Sequence, residues 1–379
     1  MRRTPSALGA LAAAAGLLIT TACTSPDSGT AAARGPVTVA AGDTTCEVSR
    51  TEADAGTIQF EITNTGSKVN EFYVYAEGDR ILGEVENIGP GITRTFHVEV
   101  AEPGTYETAC KPGMVGDGIR ADFTVSGASA APRTEDENLQ AAVTAYQRYV
   151  GSQSDALLER TAEFVALVKA GDVEGAKELY PVARSYWERI EPVAESFGDL
   201  DPRIDGREEV SEDGMEFTGY HRLEKDLWES GLQDDSAEMA DRLMADVTEL
   251  VGLAKAVELN PLQLANGSKA LLDEIATGKI TGEEERYSHT DLYDFEANFE
   301  GSRAAIAALR PYLVEQDPEL VEVIEARGDA LGDLLETHRD ADGFVLYTDV
   351  TAEDVRALTE ALDAFAEPVA TVAGVVAQS

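Results

Sequence analysis

The chain has 379 residues, enough for about two or three domains and a sizeable core. Its 71 acidic residues against 30 basic ones give a net charge of −41, which argues against a nucleic-acid partner. A surface that negative fits cation handling, although solvation and solubility account for most of the excess, and aromatic residues at 7% offer little for a sugar-stacking platform.

The chain opens with a basic Met1–Arg3, an apolar run from Ala7 to Ile19, and then Thr20-Thr21-Ala22-Cys23. A charged start, an apolar stretch too short to span a bilayer and small residues before the cut make residues 1–22 a signal peptide. Cys23 after Ala22 resembles a bacterial lipoprotein box, so Cys23 is the expected lipidated residue. Thr20 departs from the aliphatic residue usual there, and ordinary cleavage leaving a free Cys23 is the alternative. No other apolar run is long enough to cross a membrane. The expected location is therefore the outer face of the cytoplasmic membrane, with a lipid anchor as the membrane contact.

Residues 23–36 are rich in Ser, Thr, Ala and Gly and read as a flexible tether. From Val37 to residue 126 the period becomes that of strands. Val37 and Val39 alternate, as do Ile58, Phe60 and Ile62, then Phe72 and Val74, then Thr95 to Val100, with Asp122 to Val125 closing the region. Turn residues stand between them at Asn64-Thr65-Gly66, Glu77-Gly78-Asp79, Gly89-Pro90-Gly91 and Glu102-Pro103-Gly104. Short strands with regular turns predict an all-β Greek-key sandwich. Cys46 and Cys110 fall inside it, and in an oxidising compartment such a pair is either a disulfide or a metal site. A blue-copper centre needs a cysteine with two histidines and usually a methionine. Cys110 is followed by Met114, but His97 is the only histidine of this region, so that centre is not expected.

Small residues and proline at 127–133 mark a linker, and from 134 to 379 the pattern is helical. Thr134 and Glu137 form a capping box opening a helix to about Tyr149, and Asp155 to Lys169 makes a second. Val173 to Phe197 carries Pro181 and Pro192, which predict kinks or a break. Gly198 to Ser211 reads as a loop. Further helices are expected at Phe217–Glu229, Ser236–Leu259, Leu262–Ala276, Thr290–Leu313, Pro318–Arg339 and Thr351–Ala366. Apolar stripes on helices joined by short loops predict an all-α bundle.

Within Phe217–Glu229, Tyr220, Leu223 and Leu227 recur at three- and four-residue steps. His221 and Glu224, one turn apart, project beside that stripe and so toward the bundle interior. An imidazole with a carboxylate suits iron or zinc, although such a pair more often lies on a solvated helix face. Further ligands must come from elsewhere in the bundle. Glu188 and Glu191 share the three-residue spacing, Asp205 follows them, and Asp291 stands near a helix start, where it could instead complement the helix dipole. His289 and His338 read as surface residues.

The residues Gly219-x-His221-x-x-Glu224 match the motif of the imelysin-like family position by position. Asn87-Ile88-Gly89-Pro90-Gly91 and Gly104-Thr105-Tyr106-Glu107-Thr108-Ala109-Cys110 resemble a cupredoxin domain. With this domain order the whole chain resembles the EfeO-type family of iron-uptake components. The resemblance implies a cupredoxin-like sandwich before an imelysin-like bundle that binds Fe2+ or Fe3+, with zinc as a substitute. It implies a second site in the sandwich at Cys46, Glu71, Glu84, Glu86 and Cys110 for copper or ferric iron, against the alternative of a Cys46–Cys110 disulfide. It further implies delivery of iron to an EfeU-type permease, with an EfeB-type haem peroxidase as third component. The alternative is a metal-dependent peptidase, the class in which imelysin-like proteins have been placed. A zinc protease of the His-Glu-x-x-His kind needs a second histidine where Lys225 stands, so no enzyme is expected.

Overall fold

The first strands follow from alternating apolar residues that stack into one core. The computed structural model describes residues 35–129, 136–211, 214–341 and 343–378. The expected signal peptide, Cys23, nearly all of the tether, most of the linker and Thr134 lie outside the described residues.

Nine strands make up the first half: β1 Val37–Ala41, β2 Cys46–Val48, β3 Glu52–Asp54, β4 Gly56–Asn64, β5 Asn70–Tyr75, β6 Ile81–Ile88, β7 Thr93–Val100, β8 Gly104–Cys110 and β9 Ile119–Ser126. One sheet runs β2-β1-β4-β7 and the other β3-β9-β8-β5-β6. β1 pairs with β4 in parallel, and β3 with β9 likewise, so strands distant in sequence close each sheet. Phe60, Phe72, Phe96 and Phe123 fill the space between the sheets, as the alternation requires. β2 and β3 are too short to show a period. β6 shows none because Glu84 and Glu86 interrupt it, and the strand is half-buried along almost its whole length.

Cys46 and Cys110 form a disulfide with their Cα atoms 5.6 Å apart. This corrects the expectation of two sulfur ligands: with each sulfur bonded to the other, neither residue offers the thiolate that a metal requires. The bond ties β2 of one sheet to the end of β8 of the other.

The second half is helical. In chain order it comprises α1 Glu137–Ala170, α2 Val173–Glu188, the short α3 Glu191–Ala194 and α4 Leu200–Ile204, α5 Gly219–Lys225, α6 Ser236–Ala256 and α7 Pro261–Thr277. There follow α8 Asp291–Gln316, α9 Pro318–Glu336, α10 Ala352–Val369 and α11 Val372–Val376. Two helices expected before residue 170 are one, because the buried face continues through Val150, Ser154 and Leu157 past Gly151. Its N-cap is Asp136, whose Oδ1 accepts from the backbone of Asn138 and Leu139. The break before Pro192 is present, whereas Pro181 sits inside α2 without ending it. The loop expected after Gly198 contains α4, and the motif helix ends in a π-helical turn at Asp226–Ser230. β10 Arg339–Asp340 and β11 Gly343–Phe344 make a small hairpin after α9. No helix among the described residues is long and apolar enough to cross a membrane.

Among the described residues, hydrogen bonds join the halves directly. Asn266 on α7 donates from Nδ2 to the His97 carbonyl at 2.7 Å, and Asn87 Nδ2 donates to Thr277 Oγ1 at 3.3 Å.

Opening the Cys46–Cys110 disulfide releases a 64-residue separation and should lower stability by about 4 kcal/mol on the chain-entropy estimate. Cys46→Ser with Cys110→Ser, compared with the unsubstituted protein by denaturant unfolding, should show that loss. Two free thiols titrated in the unfolded, non-reduced protein would refute the pairing.

Candidate metal centre

α5 starts abruptly because of one glycine. Gly219 has φ +79°, and a Cβ there would lie 2.1 Å from the Ile204 carbonyl oxygen at the end of α4. Thr218 Oγ1 donates to the Arg203 carbonyl at 2.8 Å, which seats the start of α5 against α4. Tyr220 and Leu223 then face a core that includes Phe164, Tyr180 and Trp187, and the Tyr220 hydroxyl bonds Thr161 Oγ1 at 2.7 Å. This packing turns His221, 2% exposed, and Glu224, fully buried, into the bundle. The expectation that this pair faces inward holds.

Nδ1 of His221 lies 3.1 Å from Glu224 Oε2. The other Glu224 oxygen accepts from the backbone of Tyr287 at 2.8 Å and Ser288 at 2.7 Å. The loop before α8 is thereby pinned to the motif and brings in Glu284 and Glu285. His221 Nε2 is 3.1 Å from Nη2 of Arg184, 3.6 Å from Glu284 Oε1 and 3.9 Å from Asp205 Oδ1. Burial and Arg184 push the imidazole toward its neutral form, while Glu224, Glu284 and Asp205 outweigh them and lift it to about 10. Lifted that far, the ring holds both protons, and only on losing one does Nε2 carry a lone pair to accept from Arg184, with the remaining proton on Nδ1 toward Glu224. That lone pair is the one a metal would take.

Arg184, with no exposed side-chain surface, sits at the middle of this arrangement. It reaches Glu188, Asp205 at 3.0 Å, Glu284 at 2.7 Å, Glu285 at 2.9 Å and Asp294 at 3.4 Å. A second buried cation, Lys279, approaches Glu188 and Glu191 at 3.4 and 3.2 Å. Burial opposes ionisation of Glu188 and Glu284. Arg184 and then Lys279 hold Glu188 below the usual range, and Lys279 leads the groups, His221, Arg207 and Arg184 among them, that hold Glu284 well below it. Glu191 and Glu285 lie well above, raised by burial and then by Glu188 and Glu224 respectively. The cage therefore holds more carboxylates than its own cations neutralise.

Three overlapping groups have ligand atoms within 4.8 Å of one another: Asp205–His221–Glu284, His221–Glu224–Glu285 and Glu188–Glu191–Asp205. Of the residues expected at this centre, His221, Glu224, Glu188, Glu191 and Asp205 come together. Asp291 does not join these groups. It is fully buried, but its Oδ1 accepts from the Glu285 backbone N–H at 3.1 Å and so shapes the loop that carries Glu284 and Glu285. Sequence reading missed Arg184, Lys279, Glu284, Glu285 and Asp294. The run Glu283-Glu284-Glu285 just before a helix and Asp294 one turn after Asp291 were the available signals.

The sandwich carboxylates take a different place from the one expected. Glu84 and Glu86 line a cavity of about 510 Å³ shared with Glu195 and Asp201 of the helical half. Tyr73 donates to Glu71 Oε2 at 2.9 Å and lies 3.2 Å from Glu86 Oε1, so both bonds form only when one carboxyl carries a proton. Burial, then Glu71, lifts Glu84 to about 8, and burial, then Asp205, lifts Asp201 to about 7. Glu86 is raised well above its ordinary range, first by burial and then by Glu71 and Glu84. With Cys46 and Cys110 bonded to each other, the donors left are oxygens, which fit hard cations and not a copper–thiolate centre.

A family model described as imelysin matches residues 142–372, and one described as a cupredoxin-like domain matches residues 10–125. Iron uptake system component EfeO of Escherichia coli O157:H7 is 37% identical over 346 residues, covering 90% of this chain and 91% of its own length. The chain belongs to the EfeO family. The EfeO proteins of Escherichia coli K12 and Shigella flexneri are each 36% identical over the same shares. Reduced auracyanin from Roseiflexus castenholzii matches 24% of this chain and 97% of its own at 20% identity and TM-score 0.21, a likeness too slight to argue from. Membership agrees with the order of a cupredoxin-like sandwich followed by an imelysin domain, and makes this protein akin to iron uptake system components.

Two outcomes follow from the site geometry. Gly219→Ala should cost about 2 kcal/mol or more, since it combines a left-handed backbone with a carbonyl clash. Thermal unfolding within error of the unsubstituted protein would count against this account of the motif glycine. The second concerns Glu84, whose folded proton is held up to about pH 8 while the unfolded chain releases it near pH 4.5. Stability of the chelator-treated protein should fall as pH rises across that window. Glu84→Gln resembles the protonated form and should be more stable than the unsubstituted protein at pH 8, by about 4 kcal/mol on this linkage, but nearly equal to it at pH 4. Parallel denaturation curves at both pH values would contradict this.

Proposed function

We propose that the protein is an extracytoplasmic iron-binding component of an iron uptake system that captures Fe2+ or Fe3+ and passes it to a membrane permease. The observation that carries this reading is the buried His221 beside Glu224, Glu284, Glu285 and Asp205, with ligand atoms at coordinating separations. One imidazole among several carboxylates is a hard donor set that suits iron in either oxidation state and disfavours Cu(I), with Zn2+ as a substitute. Binding would displace protons and weaken in acid, because carboxylates must be ionised to bind.

The carboxylates Glu71, Glu84 and Glu86, facing Glu195 and Asp201, are proposed as an entry point for the cation. Glu84 and Glu86 line one cavity with Glu195, Asp199 and Asp201 of the helical half. Anchoring through a lipidated Cys23, and the partnership with an EfeU-type permease and an EfeB-type haem peroxidase, are proposed from family resemblance.

A peptidase is the competing reading, and the donor set weighs against it. His221 is the one histidine in the candidate metal groups of the described residues, and it lies at 2% exposure where a polypeptide substrate has no approach.

Calorimetric titration of Fe2+ (anaerobic) and Fe3+ into the unsubstituted protein and into His221→Ala with Glu224→Ala tests the proposal. The double variant should keep its fold and lose one iron equivalent. Unchanged binding would make the pair structural and move the search to Glu71, Glu84 and Glu86.

A further inference from the structure

Lys279 is the least expected group in the cage. It lies on a single 3₁₀ turn, Lys279–Thr281, between Gly278 and Gly282, outside the long helices. Its side chain is 1% exposed, and Nζ lies 3.2 Å from Glu191 Oε1, 3.4 Å from Glu188 Oε2, 3.6 Å from Glu274 Oε2 and 3.9 Å from Glu284 Oε1. These separations exceed the roughly 2.7–2.9 Å of a good charge-assisted hydrogen bond. The ammonium donates to both Glu191 oxygens, at 3.2 and 3.5 Å, and is otherwise shared among carboxylates at longer range.

Four carboxylates thus surround the ammonium, and two of them, Glu188 and Glu191, also form with Asp205 a group whose ligand atoms lie within 4.8 Å of one another. A second observation points to the same place. Asn298 is fully buried and donates from Nδ2 to Glu188 Oε2 at 2.9 Å and Glu191 Oε2 at 2.8 Å, while its Oδ1 has no hydrogen-bond partner. Nδ2 also donates to the Glu188 carbonyl at 2.8 Å, so the amide now turns its donor to the cage; with a cation there, a half-turn would exchange these bonds for an unspent hard oxygen facing the two carboxylates. An amide oxygen and three carboxylates suit a metal ion better than they suit one ammonium.

We propose that Lys279 is an intramolecular competitor for metal: its ammonium stands in for a second hard cation beside Glu188 and Glu191, which share a candidate metal group with Asp205, and withdraws when that cation binds. This rests on the reading of the helical half as cation-binding. The lysine stem is long and its turn is bounded by glycines, so withdrawal needs no movement of α2 or α8. Arg184 differs, because it lies on a long helix and is bonded on every side. The stand-in keeps the cage neutralised enough to fold without metal and weakens the second site, so that ion is held less tightly than the one at His221.

The test is anaerobic Fe2+ titration, read by calorimetry, of the unsubstituted protein, Lys279→Met, Lys279→Arg, and Lys279→Met with Glu188→Gln and Glu191→Gln. Lys279→Met should bind a second equivalent about tenfold or more tightly than the unsubstituted protein, because no internal cation must first be displaced. Lys279→Arg, still charged, should gain nothing, and the added glutamines should abolish the gain. A folded Lys279→Met with an unaltered isotherm overturns the proposal, as does a gain that survives the glutamines or appears in Lys279→Arg. If Lys279→Met folds only with Fe2+, that dependence itself reports the second site. If it stays unfolded at saturating Fe2+, the lysine is structural and the proposal fails. An unsubstituted protein that binds no Fe2+ sinks the parent reading instead, and the two failures are thus distinct.

Discussion

The helical half depends on a guanidinium buried with no exposed side-chain surface. An isolated charge in such a place would cost several kcal/mol, and Arg184 is tolerated because carboxylates from separate elements converge on it. Glu188 comes from the same helix, Asp205 from the end of α4, Glu284 and Glu285 from the loop before α8, and Asp294 from α8 itself. Arg184 lowers every one of these carboxylates against the burial that raises them: Glu188 and Glu284 end below the usual range, while Asp205, Glu285 and Asp294 stay above it. The arginine fixes where the acids stand, and His221 completes the ring from α5. A planar, permanently charged fork can satisfy several partners at once, which a lysine at position 184 could not do.

Parts of this arrangement were legible in the sequence and parts were not, for physical reasons. His221 and Glu224 could be read because both lie on one helix, where spacing fixes direction. The strands with alternating apolar residues could be read for the same reason, as could the break before Pro192. Glu284 and Glu285 come from a loop, whose path is set by backbone bonds to Glu224 and Asp291 that no periodicity announces. Arg184 gave no signal in the sequence, since charge alone does not reveal burial. Asp291 was legible as an acid near the site but not as a residue already engaged with a backbone amide.

The sandwich gives the opposite lesson. The residue types there were read correctly, but not their geometry. Cys46 and Cys110 lie 64 residues apart, and only the pairing of sheets shows that their Cα atoms approach to 5.6 Å. Glu84 and Glu86 interrupt the strand period because the surface they occupy is covered by the helical half. A strand buried by a neighbouring domain carries polar residues for that neighbour, and its own sheet gives no sign of it.

α7 joins these two stories. Asn266 and Thr277 bind it to the sandwich, Glu274 lies among the acids near Glu86, and the chain leaves its last turn directly into Lys279. One rigid rod therefore has its side against the β-domain and its tip inside the buried cage. A small tilt of that rod, imposed through the sandwich, would be transmitted to the lysine without any element unfolding. Separating the two halves would remove that lever while leaving the buried carboxylates and the lysine together in the helical part.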